Sequence, residues 1–180
     1  MLVPRHPERF NEVGELIEKT GFKLVKRTDA FGMDEDLADV ILLDSVGELR
    51  AVYPLAEIVF VGGSLIPHGG QNILEPALEK KAIVTGHFMT NFQAMAKTFS
   101  EKKAIVKLPE LEESEVVDKL AEVFEKLSRD EALRKSLAKN AYIAMGKNRG
   151  ATQRTVEYLN PYLLVMGNFS GKMRASSNQK

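Results

Sequence analysis

Short apolar runs alternate with longer amphipathic ones along most of this chain, and that rhythm restricts its fold more than any motif does. "FKLVKR" (22–27), "DVILLD" (39–44), "EIVFVGG" (57–63), "AIVTG" (82–86) and "AIVKL" (104–108) read as strands, and "MLV" (1–3) as the end of another. Helices fit between them. One starts at Pro7 and stops at Gly21, with Phe10, Val13, Leu16 and Ile17 at helical spacing. Others are expected at Gly47–Tyr53, cut by Pro54, at Pro76–Lys80 and at Asn91–Lys102. "DAFGMDED" reads as a polar loop, and the pattern is helical from Glu113 through Tyr162. There the stripe Val117, Leu120, Val123, Phe124 and Leu127 reads as core packing. Strand and helix in alternation predict an α/β fold: an open, mainly parallel sheet of about six strands with helices on both faces.

At 180 residues, 44% of them hydrophobic, the chain can bury the core of one domain. That domain is expected over 1–165, with 166–180 a polar, aperiodic tail. Twenty-five basic residues balance 25 acidic ones, so no global charge calls for nucleic acid or an anionic membrane surface. There is no cysteine, and the three histidines His6, His68 and His87 lack metal-ligand spacing, so no metal is expected. No apolar run approaches the ~20 residues of a membrane helix, and a cytoplasmic, soluble chain is the expectation. A strand stub running directly into Pro4-Arg5-His6-Pro7 reads as a chain cut from something longer.

In open parallel sheets ligands sit where strands end and loops lead into helices. Four such loops should open on one edge: "PRHPER" (4–9), "DSVGELR" (44–50), "GGSLIPHGGQNILEP" (62–76) and "GHFMTNF" (86–92). Arg5, just before a helix start, offers a permanent charge and a rigid fork of donors that suits phosphate, though it equally fits an ordinary solvated arginine. Ser45-Val46-Gly47-Glu48-Leu49 has the look of a capping box, Ser45 as cap and Glu48 three residues on. Free amides at such a turn can also meet the edge of a base. Asn72 to Glu75 invites the same capping reading, but Pro76 would then fall where a helical N–H is needed. A helix beginning at Pro76 removes the conflict and leaves the Glu75 carboxylate at its mouth, able to accept from the two hydroxyls of a ribose. The glycine pairs Gly62-Gly63 and Gly69-Gly70 allow close backbone approach and positive φ. No GxGxxG follows a strand, and neither GxxxxGK[ST] nor GxSxG occurs, so those chemistries have no support.

Four segments, Pro4 to Phe10, Asp44 to Leu49, Phe60 to Leu65, and Gly69 to Asn72 with Leu74-Glu75-Pro76, together resemble the C-terminal half of 3-deoxy-D-manno-octulosonic acid (Kdo) transferases. The resemblance covers roughly residues 3 to 163. It implies a Rossmann-like domain, the donor half of a two-domain GT-B glycosyltransferase, binding CMP-Kdo. It implies that Arg5 meets the phosphate, that Ser45, Val46, Gly47, Glu48 and Leu49 lie against the cytosine, and that Asn72 and Glu75 hold phosphate and ribose. Gly63, Ser64, Gly69, Gly70 and Gln71 complete the expected nucleotide site, with no separate cofactor and no metal. The acceptor, lipid A precursor, would be served by an N-terminal domain carrying the general base, at the cytoplasmic face of the inner membrane. No catalytic residue is therefore expected here, no membrane contact, and no transfer by this chain alone. Two departures stand out: Gln71 where the family more often has histidine, and Gly86-His87-Phe88 where it has Gly-Pro-His. A nucleotide-binding regulatory module and half of a sugar-nucleotide epimerase are the competing readings, the latter separated by its preference for uridine.

Overall fold

The computed structural model describes residues 1–29, 38–146 and 155–162. Every strand pairing in it is parallel. β1 (Leu24–Lys26) pairs with β2 (Val40–Leu42), setting Leu24 opposite Val40. β3 (Ile58–Val61) pairs with β4 (Ala82–Thr85), Ile58 opposite Ala82, and β4 pairs in turn with β5 (Val106–Lys107). The expected α/β class is present, but the single sheet is not: hydrogen bonds define a two-stranded and a three-stranded set. The 1–3 stub is reduced to a parallel bridge between Leu2 and Leu42. The Leu2 N–H donates to the Ile41 carbonyl at 2.8 Å and its carbonyl accepts from Leu43 at 2.9 Å, so both its backbone groups face β2.

Between strands run α1 (Phe10–Lys19), α2 (Leu49–Val52), α3 (Leu74–Leu78) and α4 (Gln93–Glu101), followed by α5 (Glu113–Arg129) and α6 (Glu131–Gly146). Residues 155–162 are helical too. The first helix does begin at Pro7, through a short 3₁₀ turn, and Pro7 loses nothing there because the first N–H groups of a helix have no partner. Its inward face is Phe10, Val13, Gly14 and Ile17, while Leu16 is half exposed (51%). Leu16 sits one position, about 100°, off Ile17, and the buried Gly14 takes the place expected of it against the side chains of Leu24 and Leu42. The break between α5 and α6 falls at Asp130, which bonds the Leu133 N–H through its side chain at 2.8 Å. A capping box of Glu112 and Glu115 starts α5.

The three-stranded set is buried on both sides, which is why its strands read as unbroken apolar runs. Along β3 and β4 alternate residues face opposite ways. Ala82 and Val84, with Ile58 and Phe60, pack against Leu127, Leu137 and the inner face of α5. Ile83 and Val61 pack the other way, with Ile73, Ala77, Phe99 and Ala141 of the helical layer. Of the predicted α5 stripe, Leu120, Val123 and Leu127 join the core, and the Phe124 ring meets Phe60 edge-on at 6.4 Å. Val117 does not: it is 73% exposed, one turn nearer the helix start than the core reaches. Residues 30–36 of the predicted polar loop, and the predicted tail, lie outside the described residues. Among the described residues no helix is long and apolar enough to cross a membrane.

Candidate functional site

Immediately after β3 the chain enters the glycine-rich loop, and three of its glycines have positive φ: Gly63 at 67°, Gly69 at 88° and Gly70 at 72°. Any other residue would be strained in that region. Gly70 closes the loop by donating to the Gly63 carbonyl at 2.9 Å. Its missing side chain also matters, since a Cβ there would stand 2.3 Å from the Met89 sulfur. Gly69 meets Asn91 in the same manner, and Asn91 fastens both ends of the contact: its N–H donates to Gly69 at 3.1 Å and its side-chain amide to His68 at 3.1 Å. The loops 62–76 and 86–92 are thus one unit. Ser64 locks them together from beneath. Its hydroxyl donates to the Val61 carbonyl at 2.5 Å and accepts from the Gly86 N–H at 2.8 Å, and its carbonyl accepts from Phe88 at 2.9 Å. Expected from the sequence among the ligand residues, Ser64 is fully buried with its hydroxyl engaged inside the protein, so it builds the loop instead.

The mouth of α3 differs from the sequence reading. The helix begins at Leu74, not Pro76, with Ile73 as its cap residue. Its first internal bond runs from Ala77 to Ile73 at 3.3 Å, so Pro76, the third helical residue, still displaces no hydrogen bond. Nor is there a capping box. The Asn72 side-chain oxygen accepts from Leu74, two residues on, at 3.0 Å, while its nitrogen donates to Glu75 Oε1 at 3.1 Å. One carboxylate oxygen of Glu75 is held by Asn72. The other, Oε2, has no hydrogen-bond partner among the described residues, and the side chain is part-exposed.

Two other loops reach this place. Arg5 crosses from the first loop to donate from Nη1 to Gln71 Oε1 at 2.5 Å. Tyr53 comes from the turn after α2 and is buried near Glu75. Burial, reinforced by the Glu75 charge, pushes its hydroxyl up to about 12. Nothing in the sequence marked Tyr53, because a single tyrosine before a proline carries no pattern. Its raised value has a testable sign. The stability it contributes is complete below pH ~10, the ordinary tyrosine value, and is lost as pH climbs toward about 12. Tyrosinate absorbance should show one of the four tyrosines titrating last, and Tyr53→Phe should abolish that step. A native protein whose tyrosines all ionise together near pH ~10 would contradict this.

Ser45 to Leu49 is placed differently. The Ser45 hydroxyl donates to Glu48, which also accepts from Arg27 at 3.3 Å, so the predicted capping box does not form and α2 starts only at Leu49. Gly47 turns the chain with φ at 90°, and Val46 is 77% exposed beside it. Just before the turn, burial pushes the Asp44 carboxyl up, but two bonds from Thr28, at 3.0 and 2.6 Å, together with the Lys26 charge, hold it below its usual range. No hydrogen bond among the described residues joins 45–49 to 62–76. His87 stands apart: its ring packs edge-on against Phe88, Nε2 lies 3.8 Å from Glu110, and it lines a cleft of about 450 Å³ with Gln93, Lys97 and Lys107 that takes no wall from 62–76. Among the described residues no cluster of three or more potential metal-binding side chains occurs.

What the arrangement can do follows from its donors and acceptors. A guanidinium that gives one hydrogen bond among the described residues, a carboxylate with one oxygen unpartnered among them, and the bare backbone of Gly63, Gly69 and Gly70 offer a place for an anion joined to a diol.

No family model matches the chain, but individual proteins do. The 3-deoxy-D-manno-octulosonic acid transferase of Haemophilus influenzae is 39% identical over 163 residues, which is 91% of this chain and 37% of that protein. The enzyme of the same name from Bordetella pertussis is 30% identical over 163 residues with the same shares. Among solved structures, the C-terminal CMP-Kdo binding domain of WaaA from Acinetobacter baumannii superposes with a TM-score of 0.71 at 29% identity, over 79% of this chain and 72% of that one. The chain spans about a third of the length of these curated relatives (37%). Sequence and fold agree, and the chain belongs to the 3-deoxy-D-manno-octulosonic acid transferase family, matching its C-terminal domain.

Proposed function

We propose that this chain binds the donor CMP-Kdo for a Kdo transferase acting on lipid A precursor in lipopolysaccharide biosynthesis. The observation that carries the reading is the meeting of Arg5 with Gln71 beside Asn72 and Glu75, four side chains brought from two loops to one edge. In this reading Arg5 faces the phosphate and Glu75 the ribose hydroxyls. Gly63, Gly69, Gly70 and Asn72 line the approach, and the turn Ser45 to Leu49 lies against the cytosine.

In the transfer, the bond between the anomeric carbon of Kdo and the phosphate oxygen breaks, and CMP leaves with the electron pair. The acceptor hydroxyl oxygen forms the new bond, and its proton goes to a base. Negative charge grows on the departing phosphate, and a positive group already aimed at it stabilises that change. Arg5 is the residue here suited to do so. The base, a carboxylate, belongs to the N-terminal domain in this reading, and the complete enzyme works at the cytoplasmic face of the inner membrane. These residues alone are then expected to transfer no Kdo, and transfer measured with them alone would refute that assignment.

Titration calorimetry with CMP and UMP tests the base and the family together. CMP should bind at least ~10-fold more tightly, the effect of one well-formed hydrogen bond to the base edge. Equal binding, or a preference for UMP, would sink the CMP-Kdo reading and favour a uridine-nucleotide enzyme.

A further inference from the structure

Arg5 is exposed, on a segment whose own hydrogen bonds are few: His6 accepts from Arg9, and His6 and Glu8 approach at 3.5 Å. A long cationic side chain in that position has several rotamers, and freezing it costs free energy that would weaken any anion contact. One contact opposes this. Arg5 Nη1 donates to Gln71 Oε1 across 66 residues of sequence, the one hydrogen bond among the described residues that ties Arg5 to the glycine-rich loop. Gln71 is itself well placed to hold still. It is part-buried, follows directly on the buried Gly69-Gly70 pair, and its Nε2 lies 3.7 Å from where a Cβ on Gly63 would stand. The loop that carries it is pinned at Gly70, Asn91 and Ser64.

We infer that Gln71 is a positioning residue for Arg5: its amide oxygen fixes the guanidinium, leaving the remaining N–H groups of the fork directed at the anion. The choice of an amide has a chemical reason. A carboxylate at this position would hold Arg5 as well but neutralise it, whereas the amide oxygen orients the charge and leaves it whole. Asn72 bears the same relation to Glu75, bonding one oxygen of the carboxylate and leaving the other open. The two charged groups of the site are thus each aimed by a neutral amide, adjacent in sequence.

This inference rests on the CMP reading given above, and a double-mutant cycle separates the two. Gln71→Leu, Arg5→Ala and the double variant are titrated with CMP and with cytidine, which lacks the phosphate. Gln71→Leu should weaken CMP about fivefold, and Arg5→Ala about tenfold or more, with cytidine binding unchanged in both. In the Arg5→Ala background, Gln71→Leu should have no further effect, because the residue it positions is gone. Gln71→Glu should weaken CMP while leaving cytidine alone, since it retains the grip and removes the net charge. Losses that multiply in the double variant would show that Gln71 acts independently of Arg5 and would overturn the inference. So would loss of cytidine binding in Gln71→Leu, which marks general damage to the loop. Absence of CMP binding by the unaltered chain would instead bring down the CMP reading itself.

Discussion

Gly86→Ala should destabilise the protein by about 3 kcal/mol, the upper part of the range for forcing an extra methyl into packed structure. For a chain of this size that is a fall in Tm of roughly 6–12 °C. The cause is space. The φ of Gly86 is not positive, so alanine could adopt its backbone, but a Cβ would stand 2.1 Å from the Ser64 carbonyl oxygen and 2.5 Å from its carbon. Those are backbone atoms and cannot swing aside like a side-chain tip. The same carbonyl accepts from Phe88, and the Gly86 N–H donates to the Ser64 hydroxyl, so retreat breaks the link between the two loops. CMP affinity should fall with stability, because the loop bearing Gln71 and Asn72 loses its support. Gly62→Ala is the control. Gly62 is exposed, and a Cβ there would touch nothing, so its substitution should stay within ~0.5 kcal/mol. Thermal unfolding of both variants checks the pair, and equal melting temperatures would refute the close-approach argument.

Glu75→Ala should weaken CMP by about 1.5 to 3 kcal/mol, roughly 10- to 150-fold, the range for hydrogen bonds to a charged group. In the proposed reading the carboxylate divides its work. Oε1 is anchored by Asn72 at 3.1 Å, and the other oxygen, without a hydrogen-bond partner among the described residues, is the one left for the ribose. With 2′-deoxy-CMP the same substitution should matter much less, since one of the two hydroxyls is already absent. Stability should fall only slightly, by ~0.3 to 1 kcal/mol, because Glu75 caps no backbone N–H and contributes as an acidic residue in the first turn of α3 and through one part-exposed bond from Asn72. Calorimetry with both nucleotides decides it. If the ratio of CMP to deoxy-CMP affinity is the same in Glu75→Ala as in the parent, the carboxylate does not touch the ribose.

Pattern served well wherever burial left a continuous trace. The β3 and β4 runs were legible because helices cover both of their faces, so nearly every position is apolar, and the parallel pairing followed from helices placed between them. The positions of Gly69 and Gly70 were legible as well, since a pair of glycines after a strand has few uses other than positive φ and close approach. Reading was less secure where two local solutions were equally good. Proline is tolerated at the first or the third helical position for one reason, the missing partners of the early N–H groups, and so the sequence could not say that α3 begins at Leu74. Ser45 and Glu48 have capping spacing, but Arg27 from a distant turn competes for the carboxylate, and the side chains pair with each other instead of with the backbone.

The sequence by itself determined the α/β class, the parallel strands and the family resemblance, because each rests on periodicity or on short ordered motifs. Tertiary structure alone decided which of the candidate residues hold one another. The Ser64 hydroxyl is taken by Gly86, 22 residues away, Arg5 is held by Gln71 across 66, and Tyr53 comes to lie near Glu75. None of those pairings has a period or a spacing. They depend on where packed strands and helices bring distant backbone, and only the folded chain fixes that.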